Sequence, residues 1–209
     1  MLLDVFSDNP FATNCWIAGQ DDAEEVVVID PGFEAAAIRL KVARTGRRLA
    51  AVLATHGHGD HIGAVKEVCG EEVPLYIHEA DELALTDQAT WGAGYAAQAD
   101  FRPAEVRTVR DGDVLEFARF RIEVLHTPGH TPGSVCFRTD GVVWSGDLVF
   151  RGSIGRSDFP NSDPAAMDAS LRRFLELPDE LSVYPGHGPE TTVGLERATN
   201  GWLVALAPR

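Results

Sequence analysis

The sequence is poor in cysteine and poorer in lysine, and it has no long apolar run. Its three cysteines, Cys15, Cys69 and Cys136, lie far apart and form no CxxC pair. That excludes a disulfide framework and a thiolate zinc site, and leaves small apolar core residues in a reducing compartment as their expected role. No stretch reaches the roughly eighteen apolar residues of a membrane span, and the N-terminus has no basic stretch leading into an apolar signal core. A cytoplasmic protein without a membrane partner is therefore expected. Only Lys41 and Lys66 are lysines among the 18 basic residues, against 32 acidic ones, and the net charge of −14 would repel phosphate backbones, so no nucleic-acid partner is expected. There is no GxSxG elbow, no P-loop, no GxGxxG after a strand and no cysteine with an evident histidine partner, which removes several common catalytic classes. The sequence leaves self-association as a homo-oligomer open.

What is present fits one domain over residues 1–209, with ordinary hydrophobic content of 44%. Strands are predicted at Leu2–Phe6, Asn14–Ala18, Glu25–Ile29, Leu49–Ala54 and Leu75–Ile77, then at Val106–Val109, Asp113–Phe117, Arg119–Leu125, Ser134–Arg138, Val142–Ser145 and Leu181–Tyr184. Helices are predicted over Ala35–Arg44, from the His-rich loop through Val68, as a turn or two at Glu79–Leu85, and over Pro164–Leu177 with Asp163 as N-cap. Thr86–Arg102, rich in Gly, Ala and Gln without a clean period, is expected to be a loop or lid. Each half has strands, a helix and then a strand ending in a His-bearing loop, which suggests two packed sheets with helices outside and ligands gathered at the strand ends.

The strongest signal is placement, because five of the seven histidines sit in Gly/Pro-rich loops directly after apolar strands. In Thr55-His56-Gly57-His58-Gly59-Asp60-His61, His56 and His58 can converge on a cation while Asp60 and His61 face a second point, the glycines permitting the tight path. His130 lies between two Pro-Gly steps, Asp147 follows a strand and Gly146, and His187 is flanked by Gly186 and Gly188. Any one of these alone would pass as a turn residue; together they predict a metal centre. Asp30, at the end of an apolar strand, is either an orienting carboxylate behind the ligands or a plain Asp-Pro-Gly turn. His78 is expected to cap a helix or lie at the surface, and His126 to support the site or pack in the core. Imidazole and carboxylate ligands without thiolate suit two divalent ions, with zinc expected and iron or manganese as alternatives. Seven ligands over two ions leave open positions, so an ionised bound water and hydrolysis are the economical inference.

The ordered set Asp30, Thr55–His61, His130, Asp147 and His187 resembles the five motifs of the metallo-β-lactamase superfamily, from Asn14 to His187. The resemblance implies an α+β fold, a four-layer αβ/βα sandwich with the metals at one edge. It implies a first ion on His56, His58 and His130, a second on Asp60, His61 and His187, and Asp147 as the bridge. Within the superfamily, Thr13-Asn14-Cys15, the loop 127–134 and Gly152-Ser153-Ile154-Gly155-Arg156-Ser157-Asp158-Phe159-Pro160 are similar to the short type II glyoxalases. That similarity implies hydrolysis of a small-molecule thioester of the S-lactoylglutathione type: metal-bound hydroxide attacks the acyl carbon, Asp60 and Asp147 are the catalytic carboxylates, and Arg156 contacts substrate. A departing thiolate requires no dedicated general acid. Longer type II glyoxalases add a helical C-terminal region that helps hold glutathione, whereas only residues 188–209 follow His187, so the thiol carrier is left open. The same Gly155–Phe159 stretch is similar to persulfide dioxygenases, which would place one iron on His56, His130 and Asp147 and form the alternative reading. β-Lactam hydrolysis is not expected, because the chain lacks secretory features.

Overall fold

The apolar runs VVVI (26–29) and AAVL (50–53) carry no polar alternation, the mark of strands covered on both faces. The computed structural model, which describes residues 1–89 and 100–206, bears this out. One mixed sheet contains, in spatial and sequence order, β1 (Leu2–Phe6), β2 (Cys15–Gly19), β3 (Glu25–Ile29), β4 (Arg48–Leu53), β5 (Leu75–His78) and β6 (Val106–Val109). Strands β3 to β6 run parallel, and β1 to β3 antiparallel. The second sheet is built from β7 (Val114–Phe117), β8 (Phe120–His126), β9 (Val135–Arg138), β10 (Val142–Gly146), β13 (Ser182–Pro185) and β14 (Thr191–Thr192), in the order β14-β13-β10-β9-β8-β7. A small hairpin, β11 (Val149–Phe150) with β12 (Ser153–Ile154), stands apart from both.

Alternate side chains of each strand fill different layers. Val27, Ile29 and Leu53 from the first sheet meet Ile122, Phe137 and Trp144 from the second between the sheets, while Val26, Val28 and Val52 point outward to the helices. Those outer helices are α1 (Ala35–Arg44), α2 (Gly59–Ile62) and α3 (Val65–Cys69) on the first sheet. On the other side, α4 (Pro164–Phe174), α5 (Val193–Thr199) and α6 (Gly201–Leu206) flank the second sheet, where Met167, Leu171, Phe174 and Leu203 pack on Cys136, Val143 and Val183. The result is the expected four-layer αβ/βα sandwich, and all three cysteines are buried and unpaired.

The predicted elements hold to within a residue or two where burial is two-sided and differ where turns intervene. The helix after His61 is broken into α2 and α3, because the Ala64 amide turns aside to donate to the Pro31 carbonyl at 2.9 Å. Helix α4 stops at Phe174 rather than Leu177; the chain tightens to i→i+3 bonds ahead of Pro178, which disfavours helix at the residue before it. Asp163 caps α4 as expected, accepting from the amides of Ala165 and Ala166. Glu79–Leu85 is a 3₁₀ helix, capped by the His78 Nδ1 accepting from Ala80, so His78 is both a cap and buried. His126 stacks on it with ring centroids 4.0 Å apart. Most of the expected loop Thr86–Arg102, residues 90–99, lies outside the described residues. Among the described residues no helix is long and apolar enough to cross a membrane.

Candidate metal centre

Five strand ends converge at one edge of the sandwich. Asp30 follows β3, the loop 55–61 follows β4, His130 lies between β8 and β9, Asp147 follows β10 and His187 follows β13. The backbone turns sharply at Asp30, whose φ of 53° lies in the left-handed region. This turn sends its carboxylate inward: Oδ1 accepts from the Thr55 amide at 2.7 Å, while Oδ2 accepts from the Thr55 hydroxyl at 2.6 Å and faces His61 Nδ1 at 3.0 Å. The carboxylate thus lies buried behind the loop 55–61, the placement an orienting group would need.

Each contact of this kind selects which nitrogen of a ring faces the centre. With Nδ1–H of His61 donated to Asp30, Nε2 points to Asp147 Oδ1 at 3.3 Å, to His187 Nε2 at 3.3 Å and to Asp60 Oδ2 at 3.6 Å. His130 donates Nδ1–H to the Arg156 carbonyl at 2.7 Å, which leaves Nε2 facing His58 Nδ1 at 2.9 Å and Asp147 Oδ2 at 3.4 Å. His187 Nε2 is 3.3 Å from Asp60 Oδ2 and 3.6 Å from Asp147 Oδ2. Three groups of ligand atoms lie within 4.8 Å of one another: His56, His58 and His130; His56, His61 and Asp147; and Asp60, His61 and His187. All seven sequence-predicted ligands are thus brought together.

The chemistry of this set fits divalent cations. Imidazole nitrogens approach one another as closely as hydrogen-bonded pairs, His58 Nδ1 and His130 Nε2 at 2.9 Å and His61 and His187 Nε2 at 3.3 Å. The buried Nε2 of His56 and Oδ1 of Asp147 have no hydrogen-bond partner in the protein, an arrangement costly to bury unless another group satisfies them. Protonation follows the same division. Burial, reinforced by neighbouring imidazoles, holds His56 well below the usual histidine range and His58 down at about 3, so both imidazoles are neutral. Burial also pulls down on His61, but Asp147, Asp60 and Asp30 outweigh it and raise the imidazole to about 10. His187 is likewise raised against its burial, chiefly by the hydrogen bond to Asp60 and by Asp147. Burial works to raise Asp60, yet His61 and His187 together hold its carboxyl far below the ordinary range.

Several contacts were not legible in the motifs. The Thr13 hydroxyl reaches Asp60 Oδ2 at 3.2 Å, and the Asn14 side-chain amide donates to the carbonyls of Pro185 at 3.0 Å and Gly188 at 2.7 Å. Trp16 Nε1–H also donates to the Pro185 carbonyl, so the N-terminal segment holds the His187 loop from the first sheet. Phe159 packs edge-to-face on His58 at 5.1 Å and on His130 at 5.8 Å, and Phe150 meets His187 at 5.8 Å. Arg156 is largely exposed; its guanidinium pairs with Asp158 and lies 4.5 Å over the Phe159 ring, while its carbonyl orients His130. Its side chain therefore stands at the rim of the centre.

The sequence profile of the metallo-beta-lactamase superfamily matches residues 8–187. The hydroxyacylglutathione hydrolase GloC of Haemophilus influenzae is 34% identical over 212 residues, covering 97% of this chain and 98% of that protein. Among solved structures, the BLEG-1 B3 metallo-beta-lactamase superposes with a TM-score of 0.89 at 34% identity, covering 97% of this chain and 99% of that one. TTHA1623 in a di-iron-bound form gives a TM-score of 0.83 at 37% identity, with 97% and 100% covered. Profile, relatives, layer order and ligand constellation agree: the chain belongs to the metallo-β-lactamase superfamily.

Proposed function

We propose that this protein is a two-metal hydrolase acting on thioesters of a low-molecular-weight thiol. The observation that carries the reading is the pair of three-ligand groups, His56–His58–His130 and Asp60–His61–His187, with Asp147 between them. A one-iron oxygenase would use His56, His130 and Asp147 and leave the Asp60 group without a task. The likeness to a hydroxyacylglutathione hydrolase supports the substrate class, and the di-iron state of TTHA1623 makes iron the main competitor to zinc.

Divalent ions held by these residues would supply ionisation of a water near neutral pH and polarisation of the acyl carbonyl. The chain does the rest. Asp30 and the Arg156 carbonyl fix the rings of His61 and His130 so that both present Nε2. Asp60, kept ionised by its imidazole neighbours, accepts a hydrogen bond from the attacking group and so orients it. Phe159 and Phe150 cover the imidazoles beside the reacting position and give the acyl group an apolar wall. The leaving thiolate is stable at neutral pH, so no residue need protonate it.

The test is thiol release from S-lactoylglutathione and related thioesters by metal-loaded protein, run beside oxygen uptake with glutathione persulfide and turnover of a chromogenic β-lactam. Thioester turnover with two ions per chain is expected. Oxygen uptake with one iron per chain would install the dioxygenase reading, and faster β-lactam turnover would place the activity with that of BLEG-1.

A further inference from the structure

One fully buried carboxylate near the centre is used by none of the chemistry above. Asp81 belongs to the 3₁₀ helix Glu79–Leu85 and has no solvent exposure. Its Oδ2 accepts from the Gly57 amide at 2.7 Å and from the Thr131 hydroxyl at 2.6 Å, and its Oδ1 accepts from the Gly133 amide at 2.5 Å. Gly57 lies between the ligands His56 and His58; Thr131 and Gly133 follow the ligand His130. A third segment, which supplies no ligand, thus joins the two loops that carry the first ion's ligands.

The contact is too close for any side chain on the loops. A Cβ on Gly133 would fall 2.4 Å from Asp81 Oδ1, and one on Gly57 would fall 2.5 Å from Ala84 Cβ of the same helix. These two motif glycines are required because a carboxylate and its helix must reach the backbone, in addition to any demand of the ligand loop itself. The far side of the Gly57 peptide is held as well, since Gln88 Nε2–H donates to the Gly57 carbonyl at 2.9 Å. No comparable bond from this helix reaches Asp60, His61 or His187 among the described residues.

We infer that Asp81 is a positioning residue for the first metal site: it sets the separation of His56 and His58 from His130, and acts on the second site only through their shared Asp147. The inference rests on the reading of the seven residues as metal ligands and is independent of the substrate. It is tested by stripping full-length protein and titrating zinc against a chromophoric chelator in two backgrounds. In His187→Ala protein the first site is intact and the second disabled; in His58→Ala protein the reverse holds.

Adding Asp81→Asn should weaken zinc binding about ten- to a hundredfold in the first background and leave it within about twofold in the second, the scale on which residues behind metal ligands act. General loosening of the fold would lower both alike, so equal losses overturn the inference, as does an unchanged first site. Should Asp81→Asn fail to fold, Thr131→Val removes one of the three donors and should give a smaller loss confined to the first site; no loss, or an equal one, overturns it. If wild-type protein binds no zinc, manganese or iron, the metal reading and this inference fall together. If it binds two ions and the variants leave the first unaltered, only the role of Asp81 falls.

Discussion

The two halves of the metal centre share imidazole side chains but hold them in opposite electrostatic states. The first group contains three imidazoles, of which burial keeps His56 and His58 neutral. The second contains Asp60 and adjoins Asp147 and Asp30; together these raise His61 to about 10, and Asp60 and Asp147 lift His187 as well. The supports differ too. Asp81 anchors the first group through two backbone amides and the Thr131 hydroxyl, whereas Asp30, Thr13, Asn14 and Trp16, side chains on or beside strands of the first sheet, anchor the second. The same side chain is therefore held neutral in one place and favoured in its protonated form a few ångströms away, with burial and local carboxylate density deciding which.

Asp147 is where the halves meet, and removing it gives the largest expected effect. Its carboxylate lies within 3.6 Å of His61, His130 and His187, so Asp147→Ala should lower the occupancy of both ions and cut thioester kcat/KM by about a thousandfold, the scale of several kcal/mol of metal-centred stabilisation. Elemental analysis beside the kinetics checks this. A variant that retains either ion at full occupancy would break the picture of a shared boundary.

Acidification should separate the halves next. Ligation at the second site must displace a proton from His61, whose raised value keeps it protonated below about 10, so apparent affinity there should fall roughly tenfold for each unit from pH 8 to pH 6. His56 and His58 stay deprotonated throughout that window and release nothing, so the first site's affinity should fall less steeply than the second's. Chelator competition with the single-site variants at several pH values reads the two slopes, and parallel slopes would erase the proposed contrast.

The smallest effect concerns the supports. Asn14→Ala leaves the Gly188 carbonyl without its side-chain donor and removes one of two from Pro185, at a cost of about 1 kcal/mol in unfolding free energy. Thermal and urea unfolding of metal-free protein measures this, and the second ion should weaken while the first does not.

Legibility followed burial. Strands β2 to β5 are legible to within a residue or two because covering both faces forces unbroken apolar runs. The seven candidate ligands stand out because histidine and aspartate recur beside glycine and proline at strand ends. The hairpin of β11 and β12, strand β14 and helices α5 and α6 had no such signature: they are two to seven residues long and are fixed by contacts with distant segments, such as Glu196 accepting from Gly152 at 2.8 Å. Asp81 was equally silent, an acidic residue in a short helical stretch where most such residues face solvent.

The order of residues determined which side chains could bind cations and which strand delivers each, since loop composition and apolar runs are local properties. Tertiary structure alone decided which nitrogen each ring presents, which imidazoles are neutral, and which groups from remote segments brace the loops. Those outcomes depend on burial and on distances between residues as far apart as His130 and Arg156 or Asn14 and Gly188, and such distances exist only once the two sheets have closed on each other.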